Sequence, residues 1–222
     1  MNPPFTREQF FDVLEAYNTT LWPPVLALWA VTVVAVVRLF REPQSTGRFM
    51  TVLLAMHWAW AGVAYHAAFF TQINPAAWLF AALFLAEAGL LAWYGPIRGR
   101  LHWSPRRFST WQFVAWITIA YGLLYPAIAR AEGHAFPRMP TFGVPCPTTI
   151  LTIGLLMAAD RPMPRLLALI PIAWAGLGGQ AAFLFDVRTD LVLLASGVIM
   201  LVYVLDPRLF VEAEHRRCEV RS

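Results

Sequence analysis

Long apolar stretches separated by short polar segments make up the chain from residue 20 onward. A bilayer core of about 30 Å requires about 20 apolar residues in a helix. Seven stretches approach this length, so the pattern predicts an all-α, polytopic membrane domain over residues 20–205. The predicted spans are residues 20–40, 49–70, 75–94, 109–128, 142–159, 164–185 and 188–205.

The two ends of the chain have a different pattern. Residues 1–19 mix apolar and acidic positions and predict an amphipathic segment, with a short helix over 6–18 on the outer membrane surface. Its apolar side would contain Phe5, Phe10, Phe11, Val13, Leu14 and Tyr17. Residues 206–222 predict a cytoplasmic tail. No basic segment precedes an apolar core at the N-terminus, so no cleavable signal peptide is predicted.

Composition agrees with a membrane protein. Hydrophobic residues make up 59% of the chain and charged residues 14%, whereas soluble domains carry about a quarter charged residues. All 17 basic residues are arginine. They are scattered through the loops, which excludes a basic stripe for nucleic acid. Lipid is therefore the expected surrounding, and both a homo-oligomer and a larger membrane complex are compatible with the sequence.

The arginines predict the orientation, because positive charge collects on the cytoplasmic side. Four lie on the predicted outer side: Arg7, Arg130, Arg138 and Arg188. Thirteen lie on the other side: Arg38, Arg41, Arg48, Arg98, Arg100, Arg106, Arg107, Arg161, Arg165, Arg208, Arg216, Arg217 and Arg221. We therefore predict an outer N-terminus and a cytoplasmic C-terminus. The all-arginine usage is typical of a GC-rich bacterial genome, so the expected location is a bacterial inner membrane.

Two segments suggest an internal repeat. Residues 59–69 read AWAGVAYHAAF and residues 173–183 read AWAGLGGQAAF, with seven of eleven letters identical at an offset of 114. A duplication would match spans one to three with spans five to seven and leave span four as a connector. Parallel repeats of this kind occur in transporters that bind substrate near the midplane. The low complexity of an alanine-rich sequence is the alternative explanation.

The predicted three-plus-one-plus-three order is similar to that of the SWEET sugar facilitators. Rhodopsins share the helix number, but retinal needs a lysine and this chain has none. The stretches FTREQFFDVLEAYN, YHAAFFTQINPAAWLF, FGVPCPTTILTIGLL and WAGLGGQAAFLF resemble a family of uncharacterised bacterial membrane proteins. This resemblance covers nearly the whole chain and supports seven helices, but it implies no activity.

Ionisable residues inside predicted spans mark candidate functional positions, because they are costly in a bilayer. His57 and Glu87 lie at similar depth in the antiparallel spans two and three. We predict that they form a hydrogen bond or ion pair, which either fixes helix packing or relays a proton or cation. His66 is nine residues after His57 and therefore faces the opposite way.

The repeat adds paired candidates along a pathway for a substrate or ion. It matches His66 with Gln180 and Trp60 with Trp174, and the two tryptophans could sandwich a ligand. Tyr65 lies beside the first pair.

The segment Pro145-Cys146-Pro147 is predicted to interrupt a helix and serve as a gate, or to start a helix with a packed cysteine. Cys146 and Cys218 are expected on opposite sides of the membrane, so no disulfide is predicted. The candidates for binding metal are His57, His66, Glu87 and Cys146, but one thiol and two diverging histidines make a poor ligand set.

Three classes of function fit these features. A small-solute or ion transporter is favoured by the repeat, the paired polar positions and the prolines. A subunit of a larger membrane complex is the second. A metal- or haem-binding enzyme is the third and the least supported, because no catalytic set, phosphate loop or dinucleotide motif is present. No cofactor is predicted.

Overall fold

A computed structural model describes residues 4–104, 109–160 and 162–206. Within these ranges all regular elements are helices. Five helical segments are long and apolar enough to cross a membrane: Arg7–Arg41, Pro43–Gln72, Ala77–Ile97, Thr110–Ala131 and Leu166–Leu184. Two shorter apolar helices, Pro145–Ala158 and Asp190–Leu205, bring the described set to the seven that the hydropathy pattern predicts. The protein is therefore a helical membrane protein.

The first helix, α1 (Arg7–Arg41), is longer than predicted. Thr6 and Gln9 form a capping box at its start, in which each side chain bonds the backbone N–H of the other residue. With 35 residues it is about 52 Å long, which exceeds the hydrocarbon core. The segment that we predicted as a separate surface helix is thus continuous with the first span, and no boundary is visible near residue 19.

The next two helices are antiparallel neighbours and both end in π-helical turns. Helix α2 (Pro43–Trp60) continues as a π-helix over Ala61–Ala67 and a short 3₁₀ turn at Phe70–Gln72. A tight turn leads into α3 (Ala77–Ala92), which continues as a π-helix over Trp93–Ile97. Helix α4 (Thr110–Ala131) follows, with Ser109 capping its first turn.

The fifth helix forms the centre of the bundle although it is among the shortest. Helix α5 (Pro145–Ala158) packs against α2, α4, α6 and α8, and every residue from 147 to 159 is buried. It has no charged residue, and its three threonines are buried together with its apolar side chains. The chain is completed by α6 (Leu166–Gly178), the single turn α7 (Ala181–Leu184) and α8 (Asp190–Leu205).

The loop before α5 is attached to the first helix. Arg138 bonds Glu8, Asp12 and Glu15, which lie on one face of α1. The bonds to Asp12 and Glu15 raise the pKa of this arginine above its usual value. One turn further on, Asn18 donates to the carbonyl oxygens of Pro137 and Met139.

Small residues allow close helix contact in the middle of the bundle. A Cβ atom on Gly154 would lie 2.7 Å from a side-chain carbon of Ile119 and 2.9 Å from its backbone nitrogen. Gly122 approaches the backbone of Leu151 in the same way, at 3.1 Å. Helices α4 and α5 therefore meet backbone to backbone, as small residues permit in membrane bundles.

Candidate binding cavity

A cavity of about 420 Å³ lies at one end of the bundle, which we call the cavity end. The start of α1, the end of α2, the start of α5, the end of α6 and the start of α8 meet there. Seven aromatic side chains line it: Phe5, Phe10, Tyr65, Phe70, Phe80, Trp174 and Phe185. Its size is at the lower end of that of small-molecule sites.

The first polar group of the cavity is His66, at the π-helical end of α2. Its side chain is buried, and neither ring nitrogen has a hydrogen-bond partner among the described residues. Its ring instead meets the edges and faces of Trp174 and Phe84, with centroids 5.1 and 4.9 Å away. The indole N–H of Trp174 is also buried, and no described residue accepts a hydrogen bond from it. Unsatisfied buried groups of this kind are uncommon and indicate a place where a ligand or water supplies the missing bond.

The second polar group is Asp190, the first residue of α8. Its carboxylate accepts a bond of 2.5 Å from the Tyr125 hydroxyl. The side chain is buried and lines the cavity. A negative charge at the first position of a helix is favoured by the helix dipole.

A hydrogen-bonded chain connects this carboxylate to the surface. Thr189 donates through its hydroxyl to the Tyr125 oxygen, at 3.2 Å. Its backbone N–H donates to the carboxylate of Glu132, at 3.0 Å, and Glu132 is exposed at the end of α4. The start of α8 is thereby fixed to α4.

The π-helical segment explains why His66 reaches the cavity. In a π-helix the N–H of residue i bonds the carbonyl of residue i−5, so each turn holds an additional residue. Ala68 bonds Val63 in this way, at 3.1 Å. The wider turn shifts the side chains that follow Trp60 around the helix axis. Such π-turns occur frequently at functional sites.

Phe5 and Phe10 from the N-terminal end of the chain form one wall of the cavity. Both rings stack on Phe185, with centroids 5.3 and 4.7 Å away. Phe5 also meets Phe70 edge to face at 5.3 Å. The segment predicted to lie on the membrane surface therefore contributes to the site.

Comparison with known proteins identifies a family for this chain. The model of DUF6064, a family of unknown function, matches residues 7–216. The chain belongs to this family. No curated protein and no solved structure matches the chain.

Six of the residues singled out from the sequence line the cavity of this DUF6064 member: Tyr65, His66, Pro145, Cys146, Trp174 and Gln180. His66 and Gln180 both line this cavity. Four others do not line it: His57, Trp60, Glu87 and Pro147.

The predicted His57–Glu87 pair is wrong. The Nε2 atom of His57 lies 2.8 Å from the Thr32 hydroxyl, and its Nδ1 atom has no partner in the described part of the chain. Both carboxylate oxygens of Glu87 are buried, again without a partner among described residues. Equal depth on neighbouring helices did not place the two side chains on facing sides.

The predicted Trp60–Trp174 sandwich is also wrong. The indole of Trp60 donates to the Tyr17 hydroxyl at 2.8 Å, beside Gly143. Trp174 packs instead among His66, Phe80 and Phe84. The two rings therefore have separate surroundings.

The segment Pro145-Cys146-Pro147 starts a helix and does not interrupt one. Val144 has extended backbone before the first turn, and Pro145 occupies the first helical position, where its missing N–H costs nothing. The carbonyl of Pro145 accepts a bond from the Thr149 hydroxyl at 2.9 Å. The Cys146 thiol is free of any disulfide, and Cys218 lies outside the described residues.

The metal candidates do not assemble. Among the described residues, no group of three or more His, Cys, Asp or Glu side chains is placed to hold a metal ion. His57 and Glu87 lie away from the cavity that contains His66 and Cys146.

Sequence reasoning missed Asp190 and its partner Tyr125. Asp190 is the third residue of the predicted seventh span. A charge at that position is also what a helix end in contact with water would carry, so it did not stand out as a buried functional group. The available signal was an acidic residue starting an apolar helix, opposite a tyrosine in span four. The pattern predicts an Asp190–Tyr125 contact only when the two spans are known to be neighbours.

Proposed function

We propose that the protein is a small-solute or ion transporter or facilitator, with the cavity as its substrate site. The observation that supports this most is the meeting of His66 and Gln180 in one cavity, at the irregular ends of α2 and α6. In transporters, irregular helices at membrane depth surround the binding site. We further propose a bacterial inner membrane location, with the cavity end outside, on the strength of the arginine distribution.

A parallel repeat remains part of this proposal. Helices α3 and α8 have the same length of 16 residues and start at positions 77 and 190. Helix α2 packs against α3 as α6 packs against α8. These correspondences support a duplicated three-helix unit. The units have diverged, because α5 is enclosed whereas much of α1 is exposed.

Alternating access would require a second conformation. Beyond the cavity, Trp58 and Phe84 are fully buried with their rings 4.4 Å apart, and Trp58 donates to the Thr152 hydroxyl at 2.8 Å. We propose that these two rings close the cavity towards the opposite end of the bundle. Regular α-helix ends at Trp60 in α2 and at Gly178 in α6. Movement of the segments that follow these two residues would open a path between the cavity and the opposite end.

Reconstituted protein provides the test. Proteoliposomes would receive concentration jumps of small neutral, cationic and anionic solutes. Light scattering would follow reswelling for neutral solutes, and a solid-supported electrode would record the charge moved by ionic ones. We expect at least one solute to cross faster than in protein-free liposomes.

A blocking variant shows whether the cavity is the route. Ala181→Trp places an indole in the cavity wall, and Leu169→Trp places the same group on an exposed position of α6. We expect Ala181→Trp to abolish the flux and Leu169→Trp to retain it. Flux that survives Ala181→Trp, or no flux for any solute, would refute the proposal.

A further inference from the structure

We infer that the cavity binds a small organic cation with an apolar body, and that the Asp190 carboxylate is its counter-charge. This inference names the substrate class of the proposed transport site and rests on that function for its physiological meaning. Binding itself can be measured separately.

The charge of the cavity favours a cation. Asp190 is the one carboxylate among its lining residues, and no arginine lines it within the described part of the chain. The nearest arginine in sequence, Arg188, is exposed and bonds Asp186 at 3.4 Å. A second carboxylate, that of Glu132, accepts a hydrogen bond from the backbone N–H of Thr189, next to Asp190 at the start of α8. An anion in the cavity would therefore meet the Asp190 carboxylate, and no arginine among the described lining residues would offset it.

The helix ends at the cavity are poor anion sites. The first N–H groups of a helix commonly bind anions. Helix α5, however, begins Pro145-Cys146-Pro147, so two of its first three residues have no N–H. At α8 the first residue is itself an acid, which takes the position that an anion would use.

The walls of the cavity suit the apolar body of such a cation. The faces of aromatic rings attract cations, and clusters of rings bind quaternary ammonium groups. Seven aromatic residues line this cavity together with a single carboxylate. Phe10 and Phe185, stacked at 4.7 Å, form one wall. Trp174, also in the lining, has an indole N–H without a partner among the described residues, which would bond an oxygen on the ligand.

The test uses three probes that share a benzyl group: benzyltrimethylammonium, neutral phenylacetamide and anionic phenylacetate. Each is titrated calorimetrically into full-length protein in a neutral detergent. We expect benzyltrimethylammonium to bind about tenfold or more tightly than phenylacetamide, and phenylacetate to show no binding.

Two variants assign the selectivity to the cavity. Asp190→Asn retains an acceptor for Tyr125 and removes the charge, so we expect it to weaken cation binding about tenfold. Phe10→Leu removes one ring at a partly exposed position and should weaken cation binding about threefold. The control is Glu87→Gln, which replaces a buried carboxyl outside the cavity with an amide and should leave binding unchanged.

Each outcome of these measurements either supports or contradicts the inference. Equal or tighter binding of phenylacetamide or phenylacetate to the wild-type protein would overturn the inference, and so would unchanged cation affinity in a folded Asp190→Asn variant. If Asp190→Asn does not fold, the relative affinities of the three probes for the wild-type protein and the cation affinity of Phe10→Leu still test the inference. Cation binding without flux in proteoliposomes would refute transport alone, and flux of neutral or anionic solutes without cation binding would refute this inference alone.

Discussion

His57 and His66 lie nine residues apart on the same helical segment, and both are fully buried. His57 is enclosed by closely packed helices, bonds Thr32 and has the ring of Phe142 5.1 Å away. His66 faces a cavity, and neither of its ring nitrogens has a partner in the described chain. Burial of a polar side chain is therefore an incomplete criterion for a site. The criterion that separates these two histidines is empty space beside unsatisfied atoms.

The geometry at His57 favours one tautomer. The Thr32 hydroxyl donates to the Leu28 carbonyl, 2.7 Å away. With its single hydrogen used there, the hydroxyl oxygen can accept a bond from the Nε2–H group of His57, 2.8 Å away. That tautomer leaves Nδ1 as an acceptor without a partner among the described residues.

The largest effect is expected where helices α4 and α5 meet backbone to backbone. We expect Gly154→Ala to lower the free energy of unfolding by about 3 kcal/mol, because the added methyl group meets the α4 backbone at Ile119. Gly89→Ala is the control: its methyl group would meet nothing within 4 Å, so helix propensity should raise stability by about 0.5–1 kcal/mol. Denaturation in SDS measures both. A neutral Gly154→Ala would show that the α4–α5 contact is loose.

The next largest effect on the free energy of unfolding is expected at Glu87, where we expect a gain in stability. Its buried oxygens have no partner in the described residues, so Glu87→Met should raise the free energy of unfolding by about 1–2 kcal/mol. Glu87→Gln keeps an unpartnered polar group and should change stability little. Loss of stability in Glu87→Met would mean that the carboxyl makes an interaction we have not identified. Retained flux in that variant would exclude the predicted proton or cation relay.

A smaller loss is expected at the enclosed histidine. His57→Leu and Thr32→Val should each cost about 1 kcal/mol, because each removes the shared hydrogen bond. The double variant should cost less than the sum of the two, since one bond is lost in both. Strict additivity, measured by the same denaturation, would show that the bond contributes nothing.

The smallest effect on stability is expected at the cavity histidine. His66→Leu removes no hydrogen bond to a described residue, so the free energy of unfolding should change by less than about 0.5 kcal/mol. Solute flux should nevertheless fall if His66 contacts the substrate. A change in stability as large as that of His57→Leu would remove the distinction between the two histidines.

Several site residues could be predicted from the sequence, and others could not. The internal match of residues 59–69 with 173–183 led to His66, Gln180 and Trp174, which the cavity brings together. The same match failed for Trp60, because Tyr17 from α1 takes its N–H. Depth estimates failed for Glu87, because rise per residue gives height in the membrane and no rotation about the helix axis. Asp190 was overlooked because its importance depends on Tyr125 from another helix.

The sequence by itself determined that the protein is a helical membrane protein with seven apolar helical segments, since hydropathy and length act within each segment. It also limited Pro145-Cys146-Pro147 to two alternatives, a helix interruption or a helix start, because two prolines restrict the backbone locally. The tertiary structure alone decided which short helix is central, which buried histidine faces a cavity and which carboxylate joins it. These features depend on helix rotation and on contacts between distant segments, which no pattern within a single segment encodes.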